Sequence, residues 1–304
     1  MAQHPFDAAN FLVDAIAPET QSLNERLRAA PAPKPGELSA PRSARARTLR
    51  IPARGGHKIE LHIVAPDRPR GVYMHLHGGG LVMGSASDQD DMLDNIADST
   101  GLACVSVEYR LAPEFPYPAA WDDCEDAARW LIANARGEFG CDLVAVGGES
   151  AGALLTLPTI IRLRDRHGIA RLPAMNLCFG VYDSSMTPSQ TLIGSDGITL
   201  GVEDIHRCVA AYAPDPGSRR DPDLSALYAD LHGLPPSLLT VGTLDPFLDD
   251  SLFLYARLIA AGNETELAIY PGGVHGFTLF DIPLAAQAHR RVQSFLSNAA
   301  DLSR

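Results

Sequence analysis

The sequence has little lysine, and its acidic residues outnumber its basic ones. Lysine occurs only as Lys34 and Lys58 among 304 residues, and Asp plus Glu outnumber Lys plus Arg by 37 to 25. The formal net charge is −12, and a surface of that sign repels nucleic-acid phosphates and anionic lipids. We therefore expect no nucleic-acid partner and no adhesion to membranes.

Paired cysteines and long apolar runs are also lacking. The five cysteines form no C-x-x-C motif, so neither a zinc site nor a redox pair is predicted. No run of about 18 apolar residues occurs, which argues against a membrane span. Acidic residues interrupt the N-terminal region where a leader peptide would have its apolar core. We expect buried free thiols, no metal and a protein of the reducing cytoplasm.

What the sequence does have is a regular alternation of strand and helix patterns. Alternation of this kind predicts an α/β fold, with a mostly parallel, doubly wound sheet and helices on both faces. Strands are predicted at 58–64, 71–77, 102–107, 143–146, 173–179, 238–241 and 266–270. Helices are predicted at 88–99, 119–134, 249–261 and 284–299.

Two segments fall outside this alternation. In residues 1–45, an apolar helical face is predicted to end at Pro18, and a capping box at 22–25 is predicted to open a second helix. Residues 184–233 form a connection far longer than usual, with one predicted helix at 203–212. We expect both segments to pack as a helical cap over the strand ends of the main domain, 46–304.

A candidate nucleophile lies at Ser150. The sequence Gly148-Glu149-Ser150-Ala151-Gly152 fits G-x-S-x-G and joins an apolar strand to an apolar helix. This layout is typical of a nucleophile elbow, whose tight turn needs small neighbours. The helix N-terminus also favours a developing negative charge. Alone the motif is weak evidence, because small residues cluster in many turns.

A catalytic serine needs a base, and His275 is the best candidate. On scaffolds with this elbow the partners follow in the order Ser, acid, His, each just after a strand. Only His275 follows a predicted strand and lies in a glycine-rich loop. The other histidines after the elbow lie at a helix end, in the long insertion or, as a solvated residue, on the closing helix: His167, His206, His232 and His289.

The acid that orients the base is predicted to be Asp245. It directly follows the strand at 238–241 and its Gly-Thr-Leu extension. Asp249 and Asp250 compete with it, but both fit better in the first turn of the next helix, where the helix dipole favours carboxylates.

Backbone donors for an oxyanion are predicted on two loops. His77-Gly78-Gly79-Gly80 follows a strand directly, and glycines there let N–H groups approach a substrate. The residue after the nucleophile, Ala151, supplies another N–H group. A dinucleotide-binding turn is the alternative for the glycines, but they fit neither G-x-G-x-x-G nor a P-loop.

Five motifs together resemble the hormone-sensitive-lipase family of α/β-hydrolase esterases. They are H-G-G-G at 77–80, Y-R-L-A-P-E at 109–114, G-E-S-A-G at 148–152, D-P at 245–246 and H-G-F at 275–277. The resemblance implies an α/β-hydrolase fold with a cap, and it implies that the nucleophile, base, acid and oxyanion donors are Ser150, His275, Asp245, and Gly79, Gly80 and Ala151. Ala153 departs from the family, which often has glycine there.

The sequence therefore predicts a cofactor-independent serine carboxylesterase acting on short- to medium-chain esters. Amide or acetyl hydrolysis, lactone opening and acyl transfer on the same triad stay open as alternatives, as does ligand binding on a hydrolase scaffold.

Residues 109–114 are predicted to be structural, held by an Arg110–Glu114 pair. The family resemblance is compatible with a homodimer. One apolar set forms either an acyl pocket or the core of the cap: Phe11, Leu12, Phe115, Ile193, Ile198, Phe247 and Phe277.

Overall fold

The computed structural model of the protein describes residues 16–29, 42–169, 172–194 and 197–302. Within these ranges one sheet of eight strands runs through the molecule in the order β1-β2-β4-β3-β5-β6-β7-β8. The strands are β1 Arg47–Pro52, β2 Lys58–Val64, β3 Val72–Leu76, β4 Ala103–Glu108, β5 Leu143–Glu149, β6 Ala174–Cys178, β7 Ser237–Leu244 and β8 Thr265–Val274.

The strands from β4 to β8 along this order are parallel, whereas β1 and β2 pair antiparallel with their neighbours. Parallel strands are buried on both faces and read as continuous apolar runs, which is why the sequence predicted them well. The mostly parallel, doubly wound sheet is confirmed. The edge strand β1 was missed because most of its residues are exposed and polar.

The helices connect the strands and cover both faces of the sheet. They are α1 Pro18–Ala29, α2 Asp90–Thr100, α3 Ala119–Phe139, α4 Ala151–His167, α5 Pro188–Leu192, α6 Val202–Tyr212, α7 Leu248–Ala260 and α8 Pro283–Leu302. Side chains of α3, α4 and α7 join one apolar core. Side chains of α2 and α8 join the other. Because β5, β7 and β8 are parallel strands of one sheet, their carboxyl ends lie at the same edge of that sheet.

The N-terminal prediction is partly wrong. The predicted capping box at 22–25 does not open the second helix, because that helix, α1, begins at Pro18 and continues to Ala29. Proline is well suited to the first helical position, because its missing N–H would have no partner there. The apolar face predicted at Ala9, Leu12 and Val13 lies outside the described residues. The helix α1 packs against β8 and α8, and Asn24 Nδ2 donates to the carbonyl of Gly272 at 2.8 Å.

The long insertion, residues 184–233, contains α5, the predicted helix α6 and two short 3₁₀ turns, Pro216–Ser218 and Ala226–Tyr228. Asp250 in the first turn of α7 holds the base of the insertion. Its buried carboxylate accepts hydrogen bonds from the N–H groups of Tyr182 and Asp183, from Thr187 and from Gln190, at 2.7–2.9 Å. Burial raises the pKa of Asp250 to about 6.

Within the described ranges, none of the helices combines the length and the apolar character needed to cross a membrane.

Candidate active site

Ser150 lies at a strained turn between β5 and α4. Its φ of 54° and ψ of −117° place a residue with a Cβ in the left-handed half of conformational space, where strain is typical of functional sites. Its N–H donates to the carbonyl of Cys178 at 2.9 Å. The strand and helix cross closely here, since a Cβ on Gly148 or Gly152 would lie 2.2 or 1.8 Å from the carbonyl oxygen of Leu76. Only glycine fits at these two positions.

The structure brings three of the predicted site residues into one hydrogen-bonded chain. His275 Nε2 lies 2.9 Å from Ser150 Oγ, and His275 Nδ1 lies 3.0 and 3.1 Å from the two carboxylate oxygens of Asp245. Asp245 is fully buried, and one of its oxygens also accepts the N–H of Phe247 at 2.8 Å. An ionised Asp245 can only accept, so Nδ1 carries the proton and Nε2 is free to accept from the serine hydroxyl.

The loop after β3 has the backbone shape that an oxyanion site needs. Gly79 and Gly80 have φ of 116° and 63°. A Cβ on Gly79 would lie 2.1 Å from the carbonyl oxygen of Met83, and a Cβ on Gly80 would lie 2.5 Å from the sulfur of Cys208 on α6. In the part of the chain that the structure describes, no acceptor takes the N–H groups of Gly79, Gly80 or Ala151. These three donors are available to a ligand.

Two side chains fix this loop: His77, for which the sequence predicted no role of its own, and Tyr109, which lies in the segment 109–114 that was predicted to be structural. His77 Nδ1 donates to the carbonyl of Gly78 at 2.8 Å, and the hydroxyl of Tyr109 donates to the carbonyl of His77 at 2.6 Å. A carbonyl and the following N–H share one rigid peptide plane. Holding the Gly78 carbonyl therefore fixes the direction of the Gly79 N–H. Burial lowers the pKa of His77 to about 4, so its imidazole is neutral at pH 7.

A buried polar row lies beneath the elbow, on neighbouring strands. Glu149 accepts from His75 Nε2 at 3.0–3.1 Å, and His75 Nδ1 lies 3.0 Å from the hydroxyl of Ser106. Glu149 precedes the nucleophile directly, and all three side chains are buried. Partners of this kind satisfy polar groups that would otherwise destabilise the core. A sequence pattern cannot reveal the row, because its members come from β4, β3 and β5.

The predicted Arg110–Glu114 pair is wrong. Arg110 instead binds the buried carboxylate of Asp123 on α3, with Nε and Nη2 at 2.8 and 2.9 Å. Its guanidinium also lies over the ring of Phe115, while Glu114 is exposed. A buried carboxylate on a neighbouring helix attracts the guanidinium more strongly than an exposed one in water.

The other histidines lie away from the nucleophile. His167 donates to Glu125, His232 pairs with Asp230, and His206 is exposed. His289 was predicted to be a solvated helix residue. That prediction is wrong, because His289 is half-buried and its Nε2 donates to the carbonyl of Thr278 at 2.9 Å.

The apolar residues that were predicted to form an acyl pocket or the core of the cap lie in different surroundings. Phe247 and Phe277 are buried near His275, and Ile193 and Ile198 pack against the core cluster that contains Phe277. Phe115 is 48% exposed. Phe11 and Leu12 lie outside the described residues.

Ala153, which stands where the family often has glycine, is accommodated by Gly180. A Cβ on Gly180 would lie 2.7 Å from the Cβ of Ala153. The missing side chain at Gly180 provides the space that the methyl group of Ala153 occupies. The helix α4 and the turn after β6 therefore pack closely without a clash between these two side chains.

A metal-binding cluster is not found among the described residues, where no group of three or more His, Cys, Asp or Glu side chains could hold an ion. The five cysteines, Cys104, Cys124, Cys141, Cys178 and Cys208, are free thiols.

Comparison with known proteins adds independent information. A family model described as an alpha/beta hydrolase fold matches residues 73–279. An ethyl acetate hydrolase of Pseudomonas putida is 32% identical over 238 residues, which are 75% of this chain and 74% of that protein. An acetyl esterase of Salmonella schwarzengrund (strain CVM19633) is 29% identical over 238 residues, 76% of this chain and 72% of that protein.

A solved structure of similar shape is a hyperthermophilic esterase from the archaeon Pyrobaculum calidifontis. It matches with a TM-score of 0.84 at 27% sequence identity, over 94% of this chain and 99% of that one.

Proposed function

The chain belongs to the α/β-hydrolase fold family and is a carboxylic-ester hydrolase, and from this premise we propose that it cleaves short- to medium-chain esters through Ser150, His275 and Asp245. The resemblance to hormone-sensitive-lipase esterases is confirmed. The observation that carries the proposed mechanism is the continuous hydrogen-bonded chain from Ser150 Oγ through His275 to Asp245.

In the proposed first half-reaction, His275 Nε2 takes the proton of Ser150 as Oγ attacks the ester carbonyl. Asp245 holds the imidazole in the required tautomer and stabilises the imidazolium that forms. The N–H groups of Gly79, Gly80 and Ala151 stabilise the negative charge on the carbonyl oxygen. His275 then gives its proton to the leaving alcohol, and an acyl enzyme results.

In the second half-reaction, His275 activates a water molecule that attacks the acyl enzyme. The tetrahedral intermediate is stabilised by the same N–H groups, and it collapses to release the carboxylic acid and free Ser150. Every proton passes through His275, so the reaction needs no group beyond the chain's own side chains and backbone.

The test is to replace Ser150 and His275 separately with alanine. We expect kcat on p-nitrophenyl butyrate to fall by a factor on the order of 10⁵–10⁶ in either variant. Ser99→Ala is the matched control, because the Ser99 hydroxyl donates to carbonyls of its own helix, those of Asn95 and Ile96; the kcat of this variant should be unchanged. Retention of more than a tenth of the activity by Ser150→Ala would contradict the assignment. So would failure of a fluorophosphonate probe to label the native protein.

The substrate range is proposed from the relatives and the insertion. The relatives in Pseudomonas and Salmonella are named for ethyl acetate and acetyl esters. We propose that residues 184–233, together with the N-terminal segment, form a cap over Ser150. Two contacts support this: Cys208 of α6 lies against Gly80, and Asn24 of α1 binds Gly272, close to His275.

A series of p-nitrophenyl esters of increasing acyl length tests this range. Turnover should be highest for acetate to hexanoate, and a maximum at long, insoluble chains would contradict it. Anilides of the same acids, run in parallel, separate ester from amide hydrolysis.

We further propose a cytoplasmic protein that acts alone or as a homodimer on a small-molecule ester. The unpaired cysteines are in keeping with a reducing compartment. The edge strand β8, with Ile269 exposed, offers a surface to a second copy. Light scattering tests the dimer, and cell fractionation tests the compartment.

A further inference from the structure

Two phenyl rings contact the imidazole of His275 edge to face. The ring of Phe179 lies 5.2 Å from it, centroid to centroid, at an interplanar angle of 72°. The ring of Phe247 lies 5.0 Å away at 85°. Both side chains are 2% exposed. They come from different parts of the chain: Phe179 directly follows β6, and Phe247 lies in the loop between Asp245 and α7.

The backbone of Phe179 is strained. Its φ is 37°, in the left-handed region that disfavours any residue with a Cβ. A residue keeps such a backbone conformation only when contacts with its surroundings outweigh its intrinsic conformational preference. Here the Phe179 N–H donates to the carbonyl of Thr240 at 2.7 Å. On its other side, Gly180 has no room for a side chain, because a Cβ there would lie 2.4 Å from the hydroxyl of Tyr182.

The same turn also contacts the nucleophile. The carbonyl of Cys178, one residue before Phe179, accepts the N–H of Ser150 at 2.9 Å. Two successive residues at the end of β6 therefore connect the proposed nucleophile and the proposed base. One holds the backbone of Ser150, and the other places a ring against His275.

Contacts from two rings affect the base in two ways. Hydrogen bonds at Nδ1 and Nε2 leave an imidazole free to tilt about the line that joins these atoms. Rings packed against it remove that freedom, and a small loss of alignment at a reacting group lowers rates strongly. Buried phenyl rings also keep water from the Asp245–His275 hydrogen bond, which becomes stronger in a medium of low dielectric constant when the imidazolium forms.

We propose that Phe179 is a positioning residue for His275, with Phe247 as the second contact, and that the strained turn after β6 exists to aim its ring at the base. The inference rests on the proposed triad. It concerns the alignment of His275 and the exclusion of water around it, and neither ring takes part in the chemistry itself.

The test is Phe179→Leu, which keeps an apolar side chain but removes the ring. We expect kcat to fall by on the order of tenfold to a hundredfold, with KM within twofold of wild type. The strongly downfield Nδ1–H proton of His275 in the NMR spectrum should broaden, because water gains access to the hydrogen bond. The acid limb of the kcat/KM profile against pH should also move.

Tyr270→Leu is the matched control. Tyr270 is buried in the same cluster as Phe179, and its ring contacts that of Phe277. A ring contact with His275 is seen for Phe179 and Phe247 but not for Tyr270 among the described residues. This variant should lose stability yet keep kcat within threefold and keep the Nδ1–H resonance sharp. If Phe179→Leu does not fold, Phe247→Leu must show the same losses.

Normal kcat, pH profile and Nδ1–H resonance in the Phe179 and Phe247 variants would overturn the inference, as would equal losses in Tyr270→Leu. In those cases an inactive Ser150→Ala would still leave the proposed function standing. An active Ser150→Ala would overturn both.

Discussion

The rings of His77 and Tyr109 stack face to face, with 4.1 Å between their centroids and 8° between their planes. The Tyr109 hydroxyl reaches past the imidazole to the backbone carbonyl of His77. The loop that carries Gly79 and Gly80 is thereby bound to the end of β4. Residues 109–114 thus do more than shape their own loop.

We predict that Tyr109→Phe lowers kcat/KM by about tenfold. The variant keeps the stack but loses one buried hydrogen bond, of about 1–1.5 kcal/mol, that orients the peptide before Gly78. The effect should fall on kcat, because oxyanion donors act on the transition state. Tyr117→Phe is the control, since it loses a bond to Asp223 of 2.9 Å in another part of the protein. A similar loss of kcat there would contradict the prediction.

Protonation of His77 should destabilise the protein as the solution becomes acidic. Burial lowers the pKa of His77 from 6.5 to about 4 in the folded state. Between these values the unfolded chain binds the proton and the folded chain does not, so stability falls as pH falls through this window. The contribution is about 3 kcal/mol when complete.

Urea unfolding from pH 7 to pH 4 measures this effect. His77→Asn keeps a donor near the Nδ1 position and cannot titrate, so its free energy of unfolding should depend less on pH than that of wild type. His206→Asn, at an exposed position on α6, should leave the dependence unchanged. Parallel curves for wild type and His77→Asn would rule out His77 as the source.

A buried cation holds the insertion to the elbow helix. Arg162 of α4 is 3% exposed and binds Asp122 and Glu125 of α3 at 3.0 and 3.3 Å, and also Asp223 of the insertion. We predict that Arg162→Met lowers the free energy of unfolding by about 3 kcal/mol, because it removes a buried cation from the partly buried carboxylates of Asp122 and Asp223. Thermal and urea unfolding measure the loss.

Arg136→Met is the comparison for this loss. Arg136 pairs with Asp142 through two good hydrogen bonds, but both side chains are largely exposed. Exposed pairs contribute little, so this variant should unfold at nearly the wild-type urea concentration. Equal losses in the two variants would mean that burial of the Arg162 cluster is not what makes it important.

Local pattern was enough to predict the parallel sheet and to select the residues of the candidate site. Strand runs and glycine turns are set by neighbouring residues, and the order of Ser150, Asp245 and His275 along the chain selected the partners of the serine. The start of α1 was predicted too late, at the capping box of 22–25, because a proline such as Pro18 can end one helix or begin the next.

Contacts between distant segments could not be predicted in the same way. Arg110 binds Asp123, His75 joins Glu149 to Ser106, and Asp250 gathers the base of the insertion. In each case the partner is selected by burial, which depends on the whole fold. The aromatic contacts of His275 belong to this class as well, since Phe179 lies in no motif.

Gly180 and Ala153 approach so closely that there is room for a methyl group at only one of the two positions. The sizes of the two residues are therefore linked, and a side chain at position 180 would in addition have to avoid the hydroxyl of Tyr182, which lies 2.4 Å from the position of a Cβ there. A chimera that takes the elbow helix from one esterase and the end of β6 from another has to exchange both positions together. Otherwise two methyl carbons collide beside the nucleophile, or a void is left there.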